Sequence, residues 1–178
     1  MKRWVALLRG INVGGGNRVP MAELRTLATS IGWRDVQSYI ASGNLVFQAD
    51  GNPDGLEAAL RSAMADRLDV DVPVFILSAG MFRNALAGCP FEPQDGRHVH
   101  GFVLRSKPRF DTRSYIALKK ENEELDVRGR MAWLHAPDGV GRSKLAEKLD
   151  KVIAGTEMTG RNLNTLRELA RMLDDAEA

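Results

Sequence analysis

An α+β fold built from two successive β-α-β-β-α-β runs is the architecture this sequence predicts. Three observations carry it. Short apolar runs bounded by charge or glycine alternate with longer stretches of helical spacing. Two glycine-bearing turns, Ser42-Gly43 and Arg128-Gly129-Arg130, each split a pair of strand-like runs. Between these regions Gly88 to Gly96, with Pro90 and Pro93, punctuates the chain. The element order is the split βαβ, or ferredoxin-like, arrangement. The expected organisation is two tandem ferredoxin-like halves: a first over residues 1–88, a linker over 89–98, and a second over 99–178 with an extra C-terminal helix.

Each element has a local reason. Trp4 to Leu8 is a continuous apolar run, as a strand in the middle of a sheet requires. Pro20 sits where a helix starts. Met21, Leu24, Leu27, Ala28 and Ile31 then share a helical face, and Gly32 ends it. Val36 to Ala41 and Asn44 to Gln48 flank Ser42-Gly43 as a hairpin. Asp54 with Glu57 reads as a capping-box variant before a stripe of Leu56, Leu60, Ala63, Met64 and Leu68. Val72 to Leu77 is a strand that Pro73 assigns to a sheet edge. Ser78 caps a short helix through Leu86.

In the second run Val99 to Arg105 is a strand, and Asp111 caps a helix through about Lys120. Leu125 to Val127 and Met131 to His135 form a second hairpin. Arg142 to Ile153 is helical with Leu145, Leu149, Val152 and Ile153 inward. Glu157 to Thr159 is a brief strand. Leu163, Leu166, Leu169, Ala170 and Leu173 make the last amphipathic helix.

Composition bounds the function. At 178 residues, 44% hydrophobic and 27% charged, the chain has the makeup of an ordinary globular protein. A formal net charge of +2 does not by itself call for a polyanion partner. The single cysteine, Cys89, excludes an internal disulfide and, with no secretory leader read in the sequence, points to the cytoplasm. The apolar run at Trp4 to Leu8 is too short to span a membrane.

Four stretches also carry a resemblance. They are Arg9-Gly10-Ile11-Asn12-Val13-Gly14-Gly15 with Val19-Pro20-Met21 and Leu24; Tyr39-Ile40-Ala41-Ser42-Gly43-Asn44 with Phe47; Pro137-Asp138-Gly139-Val140-Gly141-Arg142-Ser143-Lys144-Leu145; and Thr159 through Arg161-Asn162 to Asn164-Thr165. In these the chain resembles the family named domain of unknown function 1697, over nearly its whole length and in order. Gly16 stands where a lysine is common in that family, and Leu163 where a tryptophan is common. The resemblance implies an α+β fold with an internal duplication, and it implies no activity.

The site residues come from the same loops. Gly14, Gly15 and Gly16 ahead of a helix let successive backbone N–H groups converge on an anion, with Arg9, Arg18, Asn12 and Asn17 around them. The competing reading is a tight structural turn. Neither the nucleotide-hydrolase loop nor the G-x-G-x-x-G pattern is present. Topology places this loop near Ser42-Gly43-Asn44. It likewise places Arg142, Ser143 and Lys144 near Arg161, Asn162 and Asn164. In the second group, Ser143-Lys144 reverses the order a phosphate loop needs, and Asn164 or Thr165 serves as a helix cap. A ligand site shared by both groups would give them one purpose, and each group capping its own half is the alternative. His98 and His100 share a strand face, but two histidines fall short of a closed metal site.

Three functions compete. The first is a binding module for a phosphate-bearing ligand, a nucleotide or nucleic acid. Aromatic residues at 6% and the lack of an RNA-recognition aromatic motif weigh against nucleic acid. The second is an enzyme acting on a small anionic metabolite, although no general base with a matched partner stands out. The third is a scaffold whose polar loops are purely structural. No cofactor, metal or membrane partner is read from the sequence, and it leaves the oligomeric state open.

Overall fold

A computed structural model describes residues 1–175 as a mixed α+β chain. Its first strands and helices are β1 (Lys2–Leu8), α1 (Met21–Ser30), β2 (Arg34–Ser38), β3 (Asn44–Ala49), α2 (Pro53–Leu68), β4 (Val74–Ser78) and α3 (Ala79–Ala87). They are followed by β5 (Val99–Leu104), β6 (Arg109–Phe110), α4 (Thr112–Leu118), β7 (Glu124–Arg128) and β8 (Met131–His135). Last come α5 (Lys144–Glu147), α6 (Leu149–Val152), β9 (Ile153–Ala154), β10 (Met158–Asn162) and α7 (Leu163–Asp175). Contacts divide the chain into two compact units, Met1–Asn84 with the chain from Glu168 on, and Ala85–Arg167. The sequence-derived halves end at 88 and begin at 99. The contacts differ in placing the end of α7 with the first unit, where Arg83 Nε and Nη2 both donate to Asp174 Oδ1 at 3.0 and 2.8 Å. No helix among the described residues is long and apolar enough to cross a membrane.

In the first unit the sheet order is β2-β3-β1-β4, antiparallel throughout. β1 lies between β3 and β4, and Trp4 to Leu8 are all buried, so both of its faces are covered. Trp4, Ala6 and Leu8 pack with Leu45, Phe47, Val74 and Ile76 against Leu24 and Leu27 of α1 and Leu56, Leu60 and Met64 of α2. Each of the Leu, Ile, Val, Phe and Met side chains among them stabilises the fold by about 1.5–3 kcal/mol relative to exposure. Trp33 stacks on Phe47 with ring centroids 3.7 Å apart. β4 is an edge strand, as Pro73 signals.

In the second unit the order is β10-β5-β8-β7, again antiparallel, with β6 and β9 as a separate two-stranded ribbon. Leu104, Ala132, Leu134, Leu145, Leu149, Val152 and Ile153 form its core.

Several local expectations are corrected. β2 stops at Ser38, so the first hairpin closes through five residues, Tyr39 to Gly43, and not through Ser42-Gly43 alone. Ile40 at φ 47° breaks the extended backbone there. The cap of α2 is Asn52, whose Oδ1 accepts from Gly55 N at 2.9 Å, with Pro53 as first helical residue. The expected helix from Arg142 to Ile153 is a 3-10 turn followed by two short helices, interrupted at Lys148 (φ −115°, ψ 30°). The last strand runs to Asn162, and Asn162 caps α7, in place of Asn164 or Thr165, by accepting from Thr165 N at 2.8 Å. Ser78 and Asp111 cap as expected, accepting from Met81 N and Ser114 N.

Candidate functional site

The glycine-rich loop of the first unit is a small β-arm. Asn12 N donates to Asn17 O at 3.1 Å, Val13 bridges Gly16, and Gly16 N donates to Val13 O at 3.3 Å. Gly14 and Gly15 form the tip at φ 61° and 80°, the positive pair a type I′ turn demands. Ile11 and Val19, both 1% exposed, anchor the arm in the core. Asn12 ties its base: Nδ2 donates to Val19 O and Ala41 O, both at 2.8 Å, and Oδ1 accepts from Val19 N at 2.8 Å. Asn17 Nδ2 donates to Gly10 O at 3.3 Å. Asn12 at φ 55° and Asn17 at φ 46° hold left-handed backbone that asparagine tolerates. The arm is separated from the start of α1 by Asn17 to Pro20, so its glycines are not the amides of a helix N-terminus.

The expected neighbourhood of this loop is present. Leu8 N donates to Gly43 O at 2.8 Å. Gly43 has φ 82°, and a Cβ there would lie 2.8 Å from both Ile11 Cδ1 and Leu8 Cβ. Asn44 is fully buried and donates to Tyr39 O and Ser42 Oγ at 2.9 Å. Thus Asn12, Asn17 and Asn44 are engaged in holding backbone, and Ser42 Oγ accepts from the Asn44 amide. Arg9 and Arg18 remain exposed, and among the described residues their guanidinium groups enter no hydrogen bond or ion pair. A Cβ on Gly14, Gly15 or Gly16 would meet nothing within 4 Å, so the tip has no facing wall.

In the second unit, the register sets His135 of β8 and Asn162 of β10 beside Val99 and His100 of β5. β8 and β10 therefore both end opposite the start of β5, with residues 160–162 inside β10 and α7 beginning directly at Leu163. Val140, Gly141, Arg142, Ser143, Lys144, Ala146 and Glu147 line a cleft of about 460 Å³. Ser143 is buried and its Oγ accepts from Ala146 N at 3.0 Å, capping α5. Arg142 and Lys144 are exposed, and among the described residues neither side chain is held by a carboxylate. The Glu147 carboxylate shares the cleft and offsets part of their charge.

Arg161 has a different character. It lies in β10, 9% exposed, with Nη1 donating to Thr159 Oγ1 at 2.9 Å and to Gly160 O at 2.8 Å. Burial pulls its pKa down to about 10. Asn162 is spent on the cap, and Asn164 Oδ1 packs so closely on Gly96 that a Cβ there would sit 2.1 Å away. These three residues hold β10, the start of α7 and the Gly96 turn together, and none of them lines the cleft.

Burial shifts two further titratable groups of the second unit. Burial holds His100 down to about 4, and its Nδ1 is buried with no partner. Burial also pushes the Cys89 thiol up, away from the thiolate a nucleophile needs. No three His, Cys, Asp or Glu among the described residues gather where they would hold a metal ion.

The sequence pointed to no ligand role for a second cleft, of about 510 Å³, around Phe110, Leu125, Val127 and Arg130. Its one sequence signal was the alternation of Leu125 and Val127 beside the Arg128-Gly129-Arg130 turn.

No functionally curated protein matches the chain. The solved structure of conserved bacterial protein SP0830 from Streptococcus pneumoniae is similar, with 28% identity over 97% of this chain and 98% of its own and a TM-score of 0.73. Residues 1–133 match a family described as "Protein of unknown function (DUF1697)", and with three quarters of its length in that match the chain belongs to this family.

Proposed function

We propose that the protein is a binding module for a phosphate-bearing ligand, a nucleotide or a nucleic acid. The carrying observation is the cleft of about 460 Å³ in the second unit, where Arg142 and Lys144 stand exposed and uncommitted to a carboxylate. Concave space of this size with a few convergent polar groups suits a small ligand. Cations not already paired lose no existing bridge when they take a phosphate. The alternative of an enzyme for a small anionic metabolite lacks a positioned acid or base in this cleft apart from Glu147. The scaffold alternative has a specific observation in its favour at the first unit's arm, where Asn12 makes three backbone hydrogen bonds.

Strand order supports reading the two units as tandem ferredoxin-like halves. Numbering strands within each half and setting the β6–β9 ribbon aside, both sheets run second, third, first, fourth. The single cysteine fits a cytoplasmic setting.

A thermal-shift panel of nucleotides, oligonucleotides and carboxylates tests the function. Ligand at about 100 times Kd adds about 2.7 kcal/mol of stability. The expected result is a melting-temperature rise with a phosphate-bearing ligand that disappears in Arg142→Ala/Lys144→Ala. No rise with any ligand would leave the scaffold reading.

A further inference from the structure

We infer that the second unit carries a separate site for a small amphiphilic carboxylate, in the cleft of about 510 Å³ beside the edge strand β7. Its lining combines Pro108, Phe110, Leu125 and Val127 with Lys107 and Arg130, and it contains no carboxylate. The alternation of β7 explains this. Leu125 and Val127 share one face of the strand, while Asp126 and Arg128 share the other and pair with each other. The acid next to the cleft in sequence is thereby turned away from it and neutralised.

The two cations are presented differently. Arg130 Nε donates to Leu104 O at 3.1 Å, which fixes the guanidinium against the C-terminal end of β5. No other bond among the described residues uses this guanidinium, so both terminal nitrogens stay available for an end-on pair with a carboxylate. Lys107 is exposed, with no side-chain partner among the described residues. Gly129, at φ 58° with nothing within 4 Å of an added Cβ, leaves the rim open beside Arg130.

The apolar wall is also held in place. Phe110 belongs to the short β6–β9 ribbon, opposite Ile153. It meets Tyr115 edge-on, with centroids 5.5 Å apart, and is still 39% exposed. A large ring kept half in water next to half-buried Leu125 and Val127 is apolar surface that a ligand body would cover. The charge at the rim selects an anion, and the apolar wall selects a body of aliphatic or aromatic carbon. Phosphate without an apolar body gains nothing from this wall, which separates the site from the cleft at Arg142.

Octanoate is the probe, with octanol and octylamine as charge controls, measured by calorimetric titration on the full chain. The expected result is saturable octanoate binding and at least tenfold weaker binding of both controls. Lys107→Glu, on an exposed side chain without a partner, weakens octanoate at least tenfold while the melting temperature stays put. Arg130→Gln does the same, and Arg142→Ala/Lys144→Ala leaves octanoate binding unchanged. Absence of saturable binding, equal binding of octylamine, or binding indifferent to Lys107→Glu would each overturn the inference. So would sedimentation showing that the chain self-associates through this cleft and that octanoate does not compete.

Discussion

The arm at Ile11 to Val19 and the segment at Val140 to Glu147 look alike in sequence: both are glycine-bearing, basic and placed where a strand gives way to a helix. Their structures divide the work differently. In the arm the polar side chains serve the backbone, with Asn12 and Asn17 both donating to carbonyls of the same short stretch. At the tip it supports, a Cβ on any of the three glycines would meet nothing within 4 Å. In the second segment only Ser143 serves the backbone, and the cations Arg142 and Lys144 are left lining a cleft. Glycine and asparagine thus report how a loop is built. Uncommitted charge around concave space reports what it can receive.

The largest expected effect breaks the arm's seating. Gly43→Ala places a methyl 2.8 Å from Ile11 and Leu8 at a φ of 82°, so strain and overpacking add. Urea unfolding should show a loss of about 3–4 kcal/mol. A loss under about 1 kcal/mol would mean that the arm does not depend on this contact.

The next effect belongs to β5, an inner strand of the second unit, and is read by pH. The folded pKa of His100 is held at about 4, below its ordinary 6.5, so the unfolded chain takes up the proton first as pH falls. This stability contribution is complete above pH 6.5 and is lost progressively between 6.5 and 4, to a total of about 3 kcal/mol. In His100→Gln that acid-dependent loss should disappear from urea unfolding measured at pH 7 and at pH 4.5.

Asn12→Ala should cost about 2 kcal/mol, because it leaves Val19 N, Val19 O and Ala41 O to find water. By contrast Arg9→Ala and Arg18→Ala, on exposed side chains, should each stay within about 0.5 kcal/mol of the parent in the same assay. An arm that tolerates Asn12→Ala as well as Arg18→Ala would remove the distinction drawn between its asparagines and its arginines.

Much of this arrangement was legible in the sequence, for physical reasons that can be named. A five-residue apolar run bounded by charge and glycine is too short for a helix and suits a strand covered on both faces, and β1 is one. Asp111 and Ser78 precede helical spacing and can cap it. The topology that sets the arm beside Gly43 follows from strand order alone. Other features were hidden. Leu145, Leu149 and Val152 keep helical spacing across the break at Lys148, so periodicity cannot reveal it. Arg161 and Asn162 read as loop because their residue types are polar, whereas the ladder with Gly101 and His100 holds them in β10. Phe110 lies in a two-residue strand, too short for any alternation to show, and its partner Ile153 is far along the chain.

We propose that a phosphate-bearing ligand is taken by the cleft at Arg142 and Lys144 and not by the glycine-rich arm. A tripolyphosphate titration followed by backbone amide chemical shifts tests this directly, because it reports both places in one experiment. Saturable shifts are expected across Val140 to Glu147, with the amides of Gly14 to Gly16 unmoved, and those shifts should be lost in Arg142→Ala/Lys144→Ala. Saturable shifts confined to Gly10 to Arg18, or shifts that survive the double substitution, would contradict it.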